Sequence, residues 1–487
     1  MAKRTAIIDI GSNSVRMVVF ERTSRFAFHL LHEEKSRVRI SENAYENSAN
    51  LQEKPLQRAY SALKEFSYII KQYKVNKTLC VATSALRDAP NKQDFIAKIK
   101  KELGINIKVI DGEKEALFGG IAVANLLYLD SAVSVDIGGG STELAVYEKR
   151  AVTQTYSLKL GTVRLKELYF DNDDIAGAKA YIKEELSKLP SDFNYTQLVG
   201  IGGTLRAIST MVMKKEDVYF RKLHGYAYDI DAQKSYFKSI LKADEKKLIE
   251  LGVKKERLDV LQAGLLILTT LIEHIGAKEI ITSGVGVREG VFLSDLLRSN
   301  QARFPHNYNP SVSSLLDRFS ASKNSYLNHE ASKLFDLCHK VLKLDSHYKE
   351  SFLTAIKLSQ IGKELDYYEA HRHSYYILLN GLNYDFSHSQ IVLISTLVRY
   401  QRKKQPHKAH MQNYKAYLPS VETCNALSFL MRLCIDLFSE IKHNDELRLV
   451  LEGNELIVEA KSSYLLKEKL KDLKKSDFIK VTVSYGT

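Results

Sequence analysis

Two short stretches of this chain place chemically capable residues in the same order. In the first, an apolar run ends in Asp9-Ile-Gly-Ser-Asn-Ser14 and resumes through Val15 and Arg16 to Phe20. In the second, Ser134-Val leads into Asp136-Ile-Gly-Gly-Gly-Ser-Thr-Glu143 and on to Leu-Ala-Val146. A glycine at a sharp turn followed by small residues lets successive backbone N–H groups converge on one point, an arrangement that binds anions. Serine and threonine hydroxyls add donors. The aspartate at the strand end, Asp9 or Asp136, is a poor neighbour for a bare phosphate but a good ligand for a Mg²⁺ ion that touches one. Two such loops facing each other across a cleft would grip a run of phosphates from both sides. One strand-Asp-Gly turn is a weak signal; two in register are a strong one.

Elements must hold these loops. Thr5–Ile10 and Val15–Arg22 read as strands around the first turn, with Phe26–Leu31 as a third. Gln57–Tyr73 has helical spacing of apolar residues, Thr78–Ala82 is a short strand, Asp94–Leu103 a helix and Ile105–Ile110 a strand. The pattern then restarts: Ala132–Asp136, Glu143–Tyr147, Val152–Leu158, Leu198–Ile201 and Glu279–Thr282 are strand-like, while Ala178–Leu189 and Val260–Ile275 are helical. Alternation of this kind predicts two related α/β domains, 1–124 and 125–303. Prolines and asparagines cluster near Asn300–Pro310. Beyond them the periodicity is helical, predicting an all-α domain over 304–415, and strand patterns return in a small α+β domain over 416–487. Within the last, Tyr464–Lys475 reads as a lysine-rich helix with a solvated face.

Composition narrows the class. The 487 residues are 45% hydrophobic and 26% charged, the balance of a folded protein rather than a disordered one. Lys and Arg number 71 against 58 Asp and Glu, a formal net charge of +13 that favours a polyanionic partner. The four cysteines, Cys80, Cys338, Cys424 and Cys434, have neither zinc nor disulfide spacing. The opening apolar run is interrupted by Asp9 and Arg16 and is followed by no small-residue cleavage site, and no uncharged apolar run is long enough to span a bilayer. A cytoplasmic protein without a membrane span is expected. No G-x-x-x-x-G-K-[ST] is present, which excludes an ordinary P-loop NTPase, and no nucleic-acid module is recognisable, so no specific nucleic-acid partner is expected.

The repeated turn resembles that of the actin-like (ribonuclease-H-like) phosphotransferase superfamily. Within it, Asp9–Arg16, Ala82-Thr-Ser-Ala-Leu-Arg87, Gly112-Glu-Lys-Glu-Ala116, Asp136–Glu143, Leu160-Gly-Thr-Val-Arg164, Gly200-Ile-Gly-Gly-Thr204 and Ser283-Gly-Val-Gly-Val-Arg-Glu-Gly290 occur in order. Together they resemble the exopolyphosphatase/guanosine pentaphosphate phosphohydrolase family. The resemblance implies two actin-like α/β domains with a catalytic cleft between them, an HD-like helical domain and a small C-terminal α+β domain. It also implies Glu115 as catalytic base, although Asp111, Glu113 and Glu115 crowd one segment and spacing alone does not choose. Asp136 and Glu143 match residues tied to Mg²⁺, with Asp9 their counterpart on the first loop. Ser12, Asn13 and Ser14 match one phosphate loop, and Gly138, Gly139, Gly140, Ser141 and Thr142 the other; Arg16 and Arg87 stand where phosphate-contacting arginines are expected. Of Arg164, Arg206 and Arg288, one is expected to reach substrate.

The expected activity is release of orthophosphate from the end of inorganic polyphosphate, hydrolysis of guanosine pentaphosphate to the tetraphosphate, or both. A kinase of the same superfamily and a non-catalytic phosphate-binding scaffold are the alternatives. Homodimerisation is left open. The chain departs from an HD hydrolase at Leu358-Ser-Gln-Ile-Gly362, where Ser359 and Gln360 replace ligating His-Asp. Arg399, Arg402, Lys403 and Lys404 beyond it form a basic cluster suited to phosphate.

Overall fold

β1 (Lys3–Ile10) and β2 (Val15–Arg22) form the hairpin around the first loop, and β3 (Phe28–Ser36) extends it antiparallel. β4 (Lys77–Ala82) lies parallel to β1, and β5 (Ile107–Val109) parallel to β4, giving the sheet order β3-β2-β1-β4-β5. The second half repeats it. β6 (Ala132–Ile137), β7 (Thr142–Glu148) and β8 (Ala151–Leu158) are antiparallel neighbours; β9 (Gln197–Ile201) pairs parallel with β6 and β11 (Glu279–Thr282) parallel with β9. β10 (Ala227–Asp229) adds an antiparallel edge strand that the sequence reading lacked. Apart from β10, the two sheets share one strand order and polarity, so the fold is an internal duplication. These coordinates are a computed structural model describing residues 3–44, 48–319, 325–402, 405–438, 447–460, 464, 468, 470 and 478–485.

Helices cover both sheets because their apolar residues recur every three or four positions. Glu53–Gln72 turns Ala59, Ala62, Leu63 and Phe66 inward onto the first sheet. Leu261–Ile275 is buried along nearly its whole length under the second. The first core gathers Ile8, Ile10, Val19 and Phe66; the second gathers Val135, Leu144, Ile182 and Leu268.

Two helices join the halves. Gly112–Leu126, read from sequence only as a linking segment, is a 15-residue helix capped by Asp111, whose Oδ1 accepts the Lys114 amide at 2.7 Å. It packs against β7 and β8 of the second sheet, while Val287–Leu296, which follows the second sheet's last strand, packs back on β1. Phe292 there stacks on Phe20 at 4.5 Å between centroids and meets Phe28 at 4.9 Å. The two helices touch at Gly290, where a Cβ would lie 1.8 Å from the Phe118 carbonyl oxygen. They hold the two lobes in one compact unit, Met1–Pro310.

The third strand corrects the expected Phe26–Leu31. β3 continues to Ser36 because Glu33 and Lys35, which read as loop residues, sit on an edge strand whose polar side chains reach toward the other lobe.

The second unit, Ser311–Thr487, is mainly helical. Ser325–Cys338, Tyr348–Leu358, Ala370–Gly381 and His388–Arg399 pack around Phe335, Phe352 and Ile394. Val421–Phe438, C-terminal to residue 415, packs against three of these helices, so the helical body runs on before the sheet begins. β12 (Leu447–Glu452) and β13 (Glu455–Ala460) are antiparallel, with β14 (Lys480–Tyr485) parallel to β13. Most of the lysine-rich segment 464–475, and both Lys403 and Lys404, lie outside the described residues. All four cysteines are buried and unbridged. Among the described residues no helix is long and apolar enough to cross a membrane.

Candidate active site

The two loops close by the same hydrogen bond: Gly11 N–H donates to the Ser14 carbonyl at 3.1 Å, and Gly138 N–H to the Ser141 carbonyl at 2.9 Å. Strand register then fixes what flanks each turn. Asp9 stands opposite Arg16, and Asp136 opposite Glu143, so the position that is a cation in one copy is a carboxylate in the other. Loop carbonyls are engaged from behind. Arg39 and Ser41 amides donate to Asn13 and Ser12 at 3.0 and 3.3 Å; Thr162 and Val163 amides donate to Gly138 and Gly139 at 2.9 and 2.8 Å. The amides of Ser12, Asn13, Gly139 and Gly140 have no acceptor among the described residues, which leaves converging donors on the loop tips. The tips meet: a Cβ on Gly139 would lie 3.0 Å from the Ser12 Cβ.

Between them lies a cavity of about 160 Å³. Asp9, Ser12, Asn13, Ser14, Arg16, Glu115, Asp136, Gly138, Gly139, Gly140, Ser141 and Glu143 all line it. Two of the residues singled out from sequence do not. Thr142 points away and donates its hydroxyl to the Leu160 carbonyl at 2.7 Å, its strand position facing the core. Arg87 stands one layer back, where its Nη1 donates to Glu115 Oε2 at 3.1 Å and its Nη2 to the Ser141 hydroxyl at 3.3 Å. The crowded acidic segment also separates: Asp111 caps the helix, Glu113 is exposed, and only Glu115 faces the cavity. Glu115 occupies the first helical turn, whose unsatisfied N–H groups favour a negative charge there.

Three arginines reach the cavity that the sequence singled out weakly or not at all: Arg206, Arg288 and Arg257. One of Arg164, Arg206 and Arg288 was expected there; two line it, and Arg164 instead binds the Gly140 carbonyl at 2.9 Å and Asp88 at 3.2 Å. Arg257 lies over the turn at Gly203, where a Cβ would come within 2.2 Å of its Nη2. Its sequence neighbourhood, Lys254-Lys-Glu-Arg257, has the look of an ordinary surface run, so no signal pointed to it. Glycine is required next door as well. Gly202 has φ +83°, and a Cβ there would sit 2.1 Å from Asp136 Oδ1.

The electrostatics are those of charges gathered out of water. Burial raises the carboxyl pKa of Asp136 to about 6, with Arg206 opposing and Asp9 reinforcing the shift. Burial likewise lifts Glu143 to about 7. Glu115 stands well above the usual carboxylate range, first through burial and then through the charge of Glu143, with Arg87 pulling it back. Two of the arginines shift the other way: burial and then Arg16 bring Arg206 down to about 10, and burial and Arg288 lower Arg16, whereas burial is outweighed at Arg288 by Glu289 and Glu33. Among the described residues no three His, Cys, Asp or Glu side chains form a ready-made metal cage. Asp9, Asp136 and Glu143 nevertheless offer buried hard oxygens, and Mg²⁺ commonly takes one or two carboxylates together with water and substrate phosphate. The donor set fits that ion.

Comparison with known proteins supports the fold. A curated relative from Fusobacterium nucleatum, a bifunctional 3-dehydroquinate synthase/phosphatase, is 32% identical over 303 residues, 57% of this chain. The chain spans only 44% of that relative's length. The solved Aquifex aeolicus member of the Ppx/GppA family is 29% identical with a TM-score of 0.54, covering 62% of this chain and 99% of its own. An exopolyphosphatase from Cytophaga hutchinsonii shares the fold at 24% identity and a TM-score of 0.56, covering 62% of this chain and 100% of its own. The signature of the Ppx/GppA phosphatase family matches residues 18–299, and that of its domain III matches 309–477. The chain thus belongs to the Ppx/GppA phosphatase family.

Proposed function

We propose that this protein hydrolyses the terminal phosphoanhydride of inorganic polyphosphate, of guanosine pentaphosphate, or of both, with Glu115 as general base. The observation that carries the reading is the position of Glu115. A helix linking the two lobes brings the Glu115 carboxylate into a cavity walled by the two glycine loops and arginines, apart from the Asp9, Asp136 and Glu143 carboxylates at the strand ends, which suit a metal ion. A site that only held phosphate would gain nothing from that carboxylate, whereas hydrolysis needs a group to orient a water and take its proton.

The amides of Ser12, Asn13, Gly139 and Gly140 and the hydroxyls of Ser12, Ser14 and Ser141 hold the phosphate oxygens. Arg16, Arg206, Arg257 and Arg288 offset the charge that collects on the departing phosphate. Glu115 accepts the proton of the attacking water, and Arg87 fixes the carboxylate orientation through its hydrogen bond. Asp136 and Glu143, with Asp9, would hold Mg²⁺, which when bound supplies charge neutralisation over the anhydride oxygens. The product of the polyphosphate reaction is orthophosphate and a chain shorter by one unit; that of the pentaphosphate is orthophosphate and the tetraphosphate.

The test is phosphate release by the purified full chain with Mg²⁺ on long-chain polyphosphate and on guanosine pentaphosphate, beside Glu115→Gln. The variant is expected to lose about 10²–10⁴-fold in kcat while still binding substrate. Unchanged turnover in Glu115→Gln would remove the general-base assignment. Phosphate release from neither substrate by the unaltered protein would remove the substrate class.

A further inference from the structure

The second unit carries an exposed face of aromatic and cationic side chains. Tyr367 and Tyr368, in the turn before the helix Ala370–Gly381, are 63% and 75% exposed, and their rings meet edge to face at 5.6 Å. Isolated exposed apolar side chains are ordinary; two adjacent tyrosines this open, with Tyr376 at 70% on the following helix, are a patch. Cations are laid against it. Lys363 Nζ stands 5.3 Å from the Tyr367 ring centroid, and Arg402 Nη2 donates to the Tyr367 carbonyl at 3.3 Å. Arg399 continues the row at the end of the helix His388–Arg399. Its guanidinium lies 4.6 Å from the Tyr375 centroid and 5.6 Å from that of Tyr400.

Local carboxylates do not pair with the row. Asp366 accepts the Glu369 amide, and Glu369 pairs with Arg372 at 2.8 Å. Lys363, Arg399 and Arg402 form no ion pair with the described residues. The positive field is felt by His371 between them, whose pKa is lowered by burial and then by Arg402, with Arg372 and Arg399 adding to the shift against Glu369. The face therefore combines unpaired cations, which attract a polyanion, with open aromatic rings, which a chain of bare phosphates has no flat surface to meet. A base-bearing polyanion has both parts. In a duplex the base faces are covered by their neighbours, whereas in a single strand they are available for stacking.

We propose that this face of the helical unit binds single-stranded nucleic acid without sequence preference, its bases stacking on Tyr367 and Tyr368 and its phosphates meeting Lys363, Arg399 and Arg402. This is a function separate from the hydrolytic cleft, and it stands or falls independently of the substrate proposed there.

The experiment is fluorescence anisotropy of the full chain with labelled single strands of about 20 nucleotides, one oligo-uridylate and one oligo-deoxythymidylate, beside a duplex of equal length. Both single strands are expected to bind more tightly than the duplex, with affinity falling steeply from about 50 to about 200 mM salt. The double variant Tyr367→Ala/Tyr368→Ala should weaken single-strand binding about tenfold or more. It should leave the thermal midpoint and phosphate release unchanged, since both rings are exposed and outside the hydrolytic site. Arg399→Gln/Arg402→Gln should flatten the salt dependence. Equal affinity for duplex and single strand, or full affinity in the tyrosine variant, would overturn the proposal. So would binding of polyphosphate with none of either oligonucleotide, or tyrosine-dependent self-association with no oligonucleotide bound.

Discussion

At the residue scale the site is a contest between burial and charge. As the proposed general base, Glu115 would have to be ionised to accept a proton from water, yet burial and Glu143 favour its protonated form. Activity is therefore expected to fall as pH drops through a pKa well above the usual carboxylate range. Arg87 is the principal counterweight, through its charge and its 3.1 Å hydrogen bond. Arg87→Gln removes the positive charge that holds the Glu115 pKa down, so the acid limb of the kcat/KM profile should move to higher pH, with a smaller loss at alkaline pH than at neutral. A limb that stays in place would mean that Glu115 does not set it. Asp136 and Glu143 make a matching prediction for stability. Their folded pKa values, about 6 and about 7, exceed the unfolded ones, so the folded state binds more protons between roughly pH 4 and 7. Their contribution to stability is present below that window and is lost as pH rises through it. Thermal unfolding of the ligand-free protein should show this fall, and Asp136→Asn/Glu143→Gln should reduce it.

At the element scale the loops are only as good as what holds them. The hairpins are legible in the sequence because strand, turn and strand are each locally encoded, and the offset between the two copies fixes their equivalence. The helices that join the lobes are less so. Gly112–Leu126 is apolar nearly all round, with Gly119 and Gly120 let into the second sheet, so it lacks the one-sided pattern by which a surface helix is recognised. Its approach to Val287–Leu296 depends on Gly290. Gly290→Ala would drive a methyl into the Phe118 carbonyl and is expected to cost about 1–3 kcal/mol or more, read by denaturant unfolding. Because the helix carries Glu115, the same variant should lower kcat beyond its effect on stability. Normal turnover in the folded fraction would show that the contact does not position Glu115.

At the scale of the first unit, ion pairs bridge the cleft rim. Arg39 of the first lobe meets Asp259 of the second at 2.6 Å, and Asp88 of the first meets Arg164 of the second at 3.2 Å. Both pairs are partly exposed, so each is worth little alone. A double-mutant cycle of Arg39→Ala and Asp259→Ala should give a coupling of about 0.2–1 kcal/mol that fades in high salt. A coupling of zero at low salt would mean that the pair does not tie the lobes.

The sequence by itself determined the duplication, the two glycine loops between strands, most strands and the helical character of the second unit, because turns and hydrophobic periods are properties of neighbours along the chain. It also reached Glu115, but only through the resemblance, since Asp111, Glu113 and Glu115 look alike in one dimension. The tertiary structure decided what depends on residues far apart in the chain. It turned Thr142 away, set Arg87 behind the cavity rather than in its wall, and carried β3 on to Ser36. It brought Arg206, Arg257 and Arg288 to the mouth of loops that lie hundreds of residues earlier or on another sheet. The exposed tyrosines of the second unit belong to the same class. Whether a ring is buried or open is settled by what packs against it, and no period in the sequence records that.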